Sequence, residues 1–165
     1  MTLPGDVPSP IRYWQQGRAA VADMLSDGRL TRIDASRDLA DHYINNARKR
    51  LASVALIQSE DPAGAFVLTY DAARLAMAAI LINQGLRPRG TGAHALLLEV
   101  VLAQTEPPRQ KEFREFAWMR QLRNDTQYPD IDRPSASVDD LTQGIPAAKA
   151  IIDRAEVLIA HMPPF

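Results

Sequence analysis

Between Asp61-Pro62 and Gly85 lies a stretch whose apolar residues fall on nearly every side of a helix: Phe66, Leu68, Tyr70, Ala73, Ala76, Met77, Ile80 and Leu81. Asp71 and Arg74 are its only charges. A helix that is apolar all round has no face to give to solvent, so the remaining segments must wrap it. Asp-Pro is a start signal and Gly a stop, which predicts one helix over 62–84 at the centre of a helical bundle. Asp71 and Arg74, three apart, share a side and can pair. Asp71 can equally serve as counter-ion to an arginine from another helix, since a charge in such a place must be paired. The nearly apolar run from Ala72 to Ile82 is interrupted by Arg74 and is too short by itself to span a bilayer.

The flanking segments read as helices of the ordinary amphipathic kind. Residues 1–9, with Pro4, Gly5 and Pro8, start no periodic pattern and read as a flexible lead-in to one domain over 10–162. From Pro10 a helix is expected with Ile11, Trp14, Val21 and Leu25 on one side and Gly28 as its stop. Leu30 and Ile33 anchor the connection. Asp34 or Ser36 caps a second helix of about six turns, with Leu39, Tyr43, Ala47, Leu51 and Val54 inward. Its outer face carries His42, Asn45, Asn46 and the run Arg48-Lys49-Arg50, which reads as a solvated face in preference to a phosphate-binding patch. After the Gly85-Leu-Arg-Pro-Arg-Gly-Thr-Gly92 turn, Thr91 or Gly92 opens a helix holding His94, Leu97, Leu98, Val101 and Leu102. Ser137 with Asp140 caps a last helix whose inner residues are Val138, Leu141, Ile145, Ala148, Ile152, Ala155 and Ile159, with Pro146 a kink or break. No segment alternates with period two, so the fold expected is an all-α, up-and-down bundle of five or six helices.

Composition narrows the chemistry. The 165 residues contain no Cys, which removes disulfides, thiolate metal sites and a cysteine nucleophile and suits a reducing cytoplasm. His42, His94 and His161 form no tight ligand spacing, so neither a metal site nor a cofactor is expected. The formal net charge is −1, and the pI is near 6.3. Any attraction for an anion must therefore be local. The first residues lack the charged and apolar regions of a secretory signal, and the expected location is the cytoplasm, away from membranes.

The local attraction is concentrated on the stretch from Arg109 to Tyr128, which ends at Pro129. On a continuous helix, Phe113, Phe116 and Ala117 share a side, and seven residues further on that side carries Arg120, Arg123 and Asn124. An apolar stripe thus runs into a polar one. Burying an unpaired guanidinium costs several kcal/mol, so this half must leave the core, find partners such as Asp71 or Asp125, or line a crevice.

At Arg123-Asn124-Asp125-Thr126-Gln127-Tyr128 the chain resembles a HEPN domain (higher eukaryotes and prokaryotes nucleotide-binding). Supporting features run from about Asp34 to Ala160: the second helix with Tyr43 and Ala47, the Tyr70-Asp71-Ala72-Ala73-Arg74 helix, and the Gly85-Leu-Arg-Pro turn leading to His94. The resemblance implies a homodimer in which two motif helices approach and build a composite cleft. It also implies RNA or a nucleotide as ligand, or a nucleotidyltransferase-like partner protein of the toxin–antitoxin kind. Nuclease members carry an Arg, a polar residue and, four to six positions after the Arg, a His. Arg123 and Asn124 match, whereas Gln127, Tyr128 and Pro129 stand where the His is expected.

Metal-free RNA cleavage needs the 2′-hydroxyl activated, the leaving oxygen protonated and the phosphate charge stabilised. His serves the first two near neutrality, and Tyr128, with a reference pKa of about 10, is a poor base there. The leading expectation is a non-catalytic, dimeric module binding RNA, a nucleotide or a partner protein through Arg120, Arg123, Asn124, Gln127 and Tyr128. One alternative is a metal-independent ribonuclease in which His94 or Tyr128 joins Arg123 and Asn124 as a catalytic group. Another is a purely structural interaction protein.

Overall fold

The computed structural model describes residues 13–165. The expected lead-in over 1–9 and the helix start at Pro10 and Ile11 lie outside those residues. In chain order the elements are α1 (Arg18–Ser26), β1 (Leu30–Arg32), α2 (Arg37–Ile57), α3 (Pro62–Gln84), β2 (Leu86–Pro88), α4 (Ala93–Thr105), α5 (Lys111–Arg114), α6 (Phe116–Gln127) and α7 (Val138–His161).

The apolar helix is the axis of the fold. Asp61 caps α3 by accepting a bond from the Gly64 N–H at 2.8 Å, and Gly85, with φ of 80°, closes it in the left-handed conformation. Helices α2 and α7 pack along α3, while α4 and α6 cover its remaining sides. Although α3 is long and apolar enough to cross a membrane, 72% of its apolar window is buried inside the bundle. Its composition is that of a core helix.

Ser36, one of the two expected caps, holds the start of α2 by accepting from the Leu39 N–H at 3.1 Å. The inward stripe of α2 is Ala40, Ile44, Ala47 and Val54, with Tyr43 and Leu51 flanking it. Leu39, expected to face the core, is 41% exposed. Ala40, one position on, is fully buried in its place, so the stripe is rotated by one residue. The basic run of α2 is also less free than a solvated face. Arg48 donates to Asp153 at 3.0 Å and to Glu156 at 2.5 Å on α7, and Arg50 pairs with Asp71 on α3.

At the N-terminal side, the helix starts later than Trp14. Gly17 takes a left-handed conformation with φ of 71°, and α1 begins at Arg18. Trp14 lies ahead of the helix and donates its indole N–H to the Gln104 carbonyl at 2.8 Å, pinning this segment to α4. Sequence pattern also misses a short antiparallel ladder in which Leu30, Thr31 and Arg32 pair with Pro88, Arg87 and Leu86. Three residues are too few to display a period of two.

The expected 109–128 helix is interrupted at Glu115, which separates the single turn of α5 from α6. Counting that pair as one broken helix gives six helical bodies among the described residues. Phe113, Phe116 and Met119 are buried, whereas Ala117 is exposed. Helix α7 has the expected capping box, with Ser137 and Asp140 satisfying each other's backbone N–H groups. It runs unbroken through Pro146. Val138, expected inside, is 58% exposed because it occupies the first turn, beyond the edge of the core.

Candidate functional site

Three elements meet where the polar half of α6 crosses the bundle. Helix α6 presents Arg120, Arg123 and Asn124 at spacings of three and four, hence on one face. Helix α3 contributes Tyr70, Asp71 and Arg74 from its middle turns. Gly92, with φ of 84°, starts α4 so that His94 sits in its first turn.

Tyr70 and His94 form the centre. The Tyr70 hydroxyl lies 3.0 Å from His94 Nδ1. The phenol ring is stacked on Phe116 at a centroid distance of 5.1 Å, and the Arg123 guanidinium carbon stands 5.8 Å from its centroid. Tyr70 is 2% exposed, so its ring is held by packing and its hydroxyl by the imidazole. A buried tyrosine hydroxyl needs such a partner.

Two adjoining clefts share His94. The first, of about 280 Å³, is lined by Ile57, Gly64, Val67, Leu68, Tyr70, Asp71, Arg74, His94 and Arg123. The second, of about 360 Å³, is lined by Gly90, Gly92, Ala93, His94, Ala95, Arg120 and Asn124. The structure therefore brings Arg120, Arg123, Asn124 and His94 together. Gln127 and Tyr128 line neither cleft, and Tyr128 is 77% exposed at the end of α6.

The charge balance of the site is positive. Asp71 is engaged by Arg74 through bonds of 2.8 and 2.5 Å and by Arg50. It is thus a counter-ion to those two, and Arg123 is not its partner. Asp125 accepts from Gln121 at 3.1 Å and stands 4.0 Å from Arg133 in the loop after α6. Among the described residues, neither Arg120 nor Arg123 has a carboxylate within ion-pair distance. Arg123 makes one long contact of 3.4 Å to Asn124 Oδ1, and its Nε is buried without an acceptor. Thr126, also in the motif, accepts from the Ala136 N–H at 2.9 Å and ties down the following loop.

These charges act on the central pair. Burial, followed by the nearby Arg74, Arg123 and Arg120, holds the His94 imidazole below its ordinary value, so it is neutral at pH 7. Burial raises the Tyr70 phenol, and the same three arginines oppose that rise. The site thus holds a neutral imidazole and a neutral phenol beside unpaired guanidinium groups. Such a set can bind an oxyanion, donate hydrogen bonds to it and accept one proton. No group of three or more His, Asp or Glu suited to holding a metal ion occurs among the described residues.

Tyr70 and Arg74 are the contributors that reading the motif alone passes over. Their signal was a hydroxyl and a charge inside an otherwise apolar helix.

The family model of the HEPN domain matches residues 40–158, from α2 into α7, and so spans the whole site. This chain belongs to the HEPN domain family. Neither the curated proteins nor the solved structures gave a match to it. Membership carries a nucleotide-binding or ribonuclease-like character at the level of the family. In this HEPN domain, the arginine and asparagine that open the motif line the clefts, while the motif's last two residues stand outside them.

Proposed function

We propose that this HEPN domain is a non-catalytic module that binds the phosphates of RNA or of a nucleotide in the paired clefts beneath α6. The observation that carries the reading is the unpaired charge of Arg123 in the first cleft and Arg120 in the second, where the one lining carboxylate among the described residues, Asp71, is already taken by Arg50 and Arg74. An incoming phosphate supplies the acceptors those guanidinium groups lack, and a bidentate arginine–phosphate contact is among the stronger hydrogen-bonded pairs. Asn124 adds an amide that can hold a ribose or a base edge. Gln127 and Tyr128 belong, in this reading, to the exposed face where a second copy of the chain or a partner protein docks.

The non-catalytic part rests on proton inventory. In-line cleavage has the 2′-oxygen lose a proton as it attacks phosphorus while the 5′-oxygen gains one as it leaves. Among the described residues, the clefts contain one group able to change protonation near neutrality, His94, and it is held by a phenol that keeps its own proton.

A second reading, a metal-independent ribonuclease, is favoured by one observation: His94 lines the first cleft together with Arg123, although it stands 29 positions before it in the sequence. There His94 takes the 2′-hydroxyl proton and returns it to the leaving 5′-oxygen, Tyr70 orients the imidazole, and Arg123 stabilises the phosphorane.

Fluorescence anisotropy of labelled single-stranded RNA, with wild type and Arg123→Ala, tests the first reading. Saturable binding by wild type and its loss in the variant are expected. Unchanged binding in Arg123→Ala overturns the assignment. Running the same samples on a gel separates the two readings, since intact RNA in all lanes is expected and cleavage by wild type alone establishes the nuclease.

A further inference from the structure

The two clefts differ in character, and the difference specifies the ligand further. The cleft beside Arg120 and Asn124 has backbone and small residues for walls. The cleft beside Arg123 has a wall of Ile57, Val67 and Leu68 facing Tyr70 and His94. Of these, Leu68 packs against the core, whereas Val67 is partly exposed and serves as cleft wall.

We infer that the Ile57–Val67–Leu68 cleft is a subsite for a single nucleobase, seated beside a phosphate held by Arg120 and Arg123, so that the unit recognised is a nucleoside monophosphate. The inference deepens the phosphate-binding reading and rests on it. A purely ionic occupant such as inorganic phosphate leaves the aliphatic wall in water. A purely apolar occupant leaves the guanidinium of Arg123 without an acceptor. An occupant with an anionic group next to a flat ring satisfies both. At about 280 Å³ the cleft lies at the small end of ligand pockets, which suits one ring system and excludes a stacked run of bases. Arg123 can serve the base as well as the phosphate, because a guanidinium already over one aromatic face offers its other face to a second ring. His94 supplies a polar contact for the ring edge.

The test uses the full chain and two probes, adenosine 5′-monophosphate and ribose 5-phosphate, titrated by calorimetry or by chemical-shift changes. The expected result is that the nucleotide binds about tenfold or more tightly than the sugar phosphate, the gap that one buried base contributes. Val67→Trp, which adds bulk to the aliphatic wall and keeps both arginines, is expected to erase that gap and leave ribose 5-phosphate binding as in wild type. Equal affinity of the two probes for wild type overturns the base subsite while the phosphate site stands. Failure of both probes, together with Arg123-dependent binding of RNA, overturns the subsite alone. Failure of both with no RNA binding overturns the subsite and the reading beneath it. The wild-type comparison decides the matter by itself if Val67→Trp does not fold.

Discussion

The Tyr70 hydroxyl and His94 Nδ1 stand 3.0 Å apart, joining the centre of the buried helix to the first turn of α4. Either group alone in this position is a polar atom removed from water. Together they satisfy each other, and burial, aided by the arginines around them, holds the imidazole below its ordinary value. Because the folded-state pKa of His94 is depressed, the unfolded chain, titrating near about 6.5, binds more protons in the window just below that value. Stability therefore rises with pH through the window and is lost as pH falls from about 6.5 toward the folded pKa. Urea midpoints at pH 7.5 and 5.5 should show a larger acid loss for wild type than for His94→Gln, with the common carboxylate contribution cancelling. An equal loss in both chains removes the assignment.

Tyr70→Phe keeps the stack on Phe116 and deletes only the hydroxyl. It leaves one half-buried imidazole nitrogen short of a partner, for an expected cost of about 1 kcal/mol, measured as a shift in urea midpoint at constant slope.

Arg123→Ala distinguishes a functional arginine from a structural one. Had Arg123 been the partner of a buried carboxylate, its removal would strand that charge at about 3–5 kcal/mol. The structure gives it no such partner among the described residues, only Asn124 and the face of Tyr70. The expected stability loss is therefore about 1 kcal/mol, mainly the cation–π contact, while RNA affinity falls by about tenfold or more. A large drop in melting temperature with unchanged binding supports the structural reading instead.

Much of this arrangement was legible from residue pattern because the central helix left few choices. Asp61, Pro62 and Gly85 delimit α3, and the Ser137–Asp140 box delimits the start of α7, through local chemistry that needs no tertiary information. The polar turn of α6 was visible as a break in an apolar stripe. Its partners were not, because they come from distant segments. His94 meets Tyr70 across 24 residues, and Asp71 turns to Arg50 on the neighbouring helix and away from α6. The interruption at Glu115, the rotation of the α2 stripe onto Ala40 and the short β1–β2 ladder depend on how closely backbones approach. Side-chain periodicity does not encode that distance.

Gly17 tests one such close approach. It has φ of 71°, and a Cβ placed there would lie 2.1 Å from the Ala103 carbonyl oxygen and 2.5 Å from its carbon. Backbone cannot swing aside as a side chain does, so Gly17→Ala must separate the α1 entry from α4 and break the Trp14 bond to Gln104. A loss of about 2 kcal/mol or more is expected from the left-handed conformation and the clash combined. Gly90→Ala is the control: it also has a left-handed φ, of 76°, but nothing lies within 4 Å of its Cβ position. Its cost should be the conformational share alone, about 1 kcal/mol. Similar thermal shifts for the two variants would show that α1 does not press on α4 as described.

Asp71 offers a prediction whose sign is unusual for a substitution at a binding site. Among the described residues its carboxylate is the only negative charge lining the two clefts, and it partly neutralises Arg74 and Arg50. The side chains of all three are a quarter or more exposed, at 25% for Asp71, 26% for Arg74 and 41% for Arg50, so solvent screens the pairs. Asp71→Asn should therefore cost only about 1 kcal/mol of stability, since the amide oxygen still accepts one of the arginine bonds. The same change frees positive charge beside Arg123, and phosphate-bearing ligands should bind more tightly, by several-fold at low salt and less as salt screens the field. Weaker binding in Asp71→Asn would mean that the carboxylate positions the arginines and that the field matters less than their geometry. Repeating the titration at two salt concentrations separates the outcomes: a field effect shrinks with added salt, and a positioning effect persists.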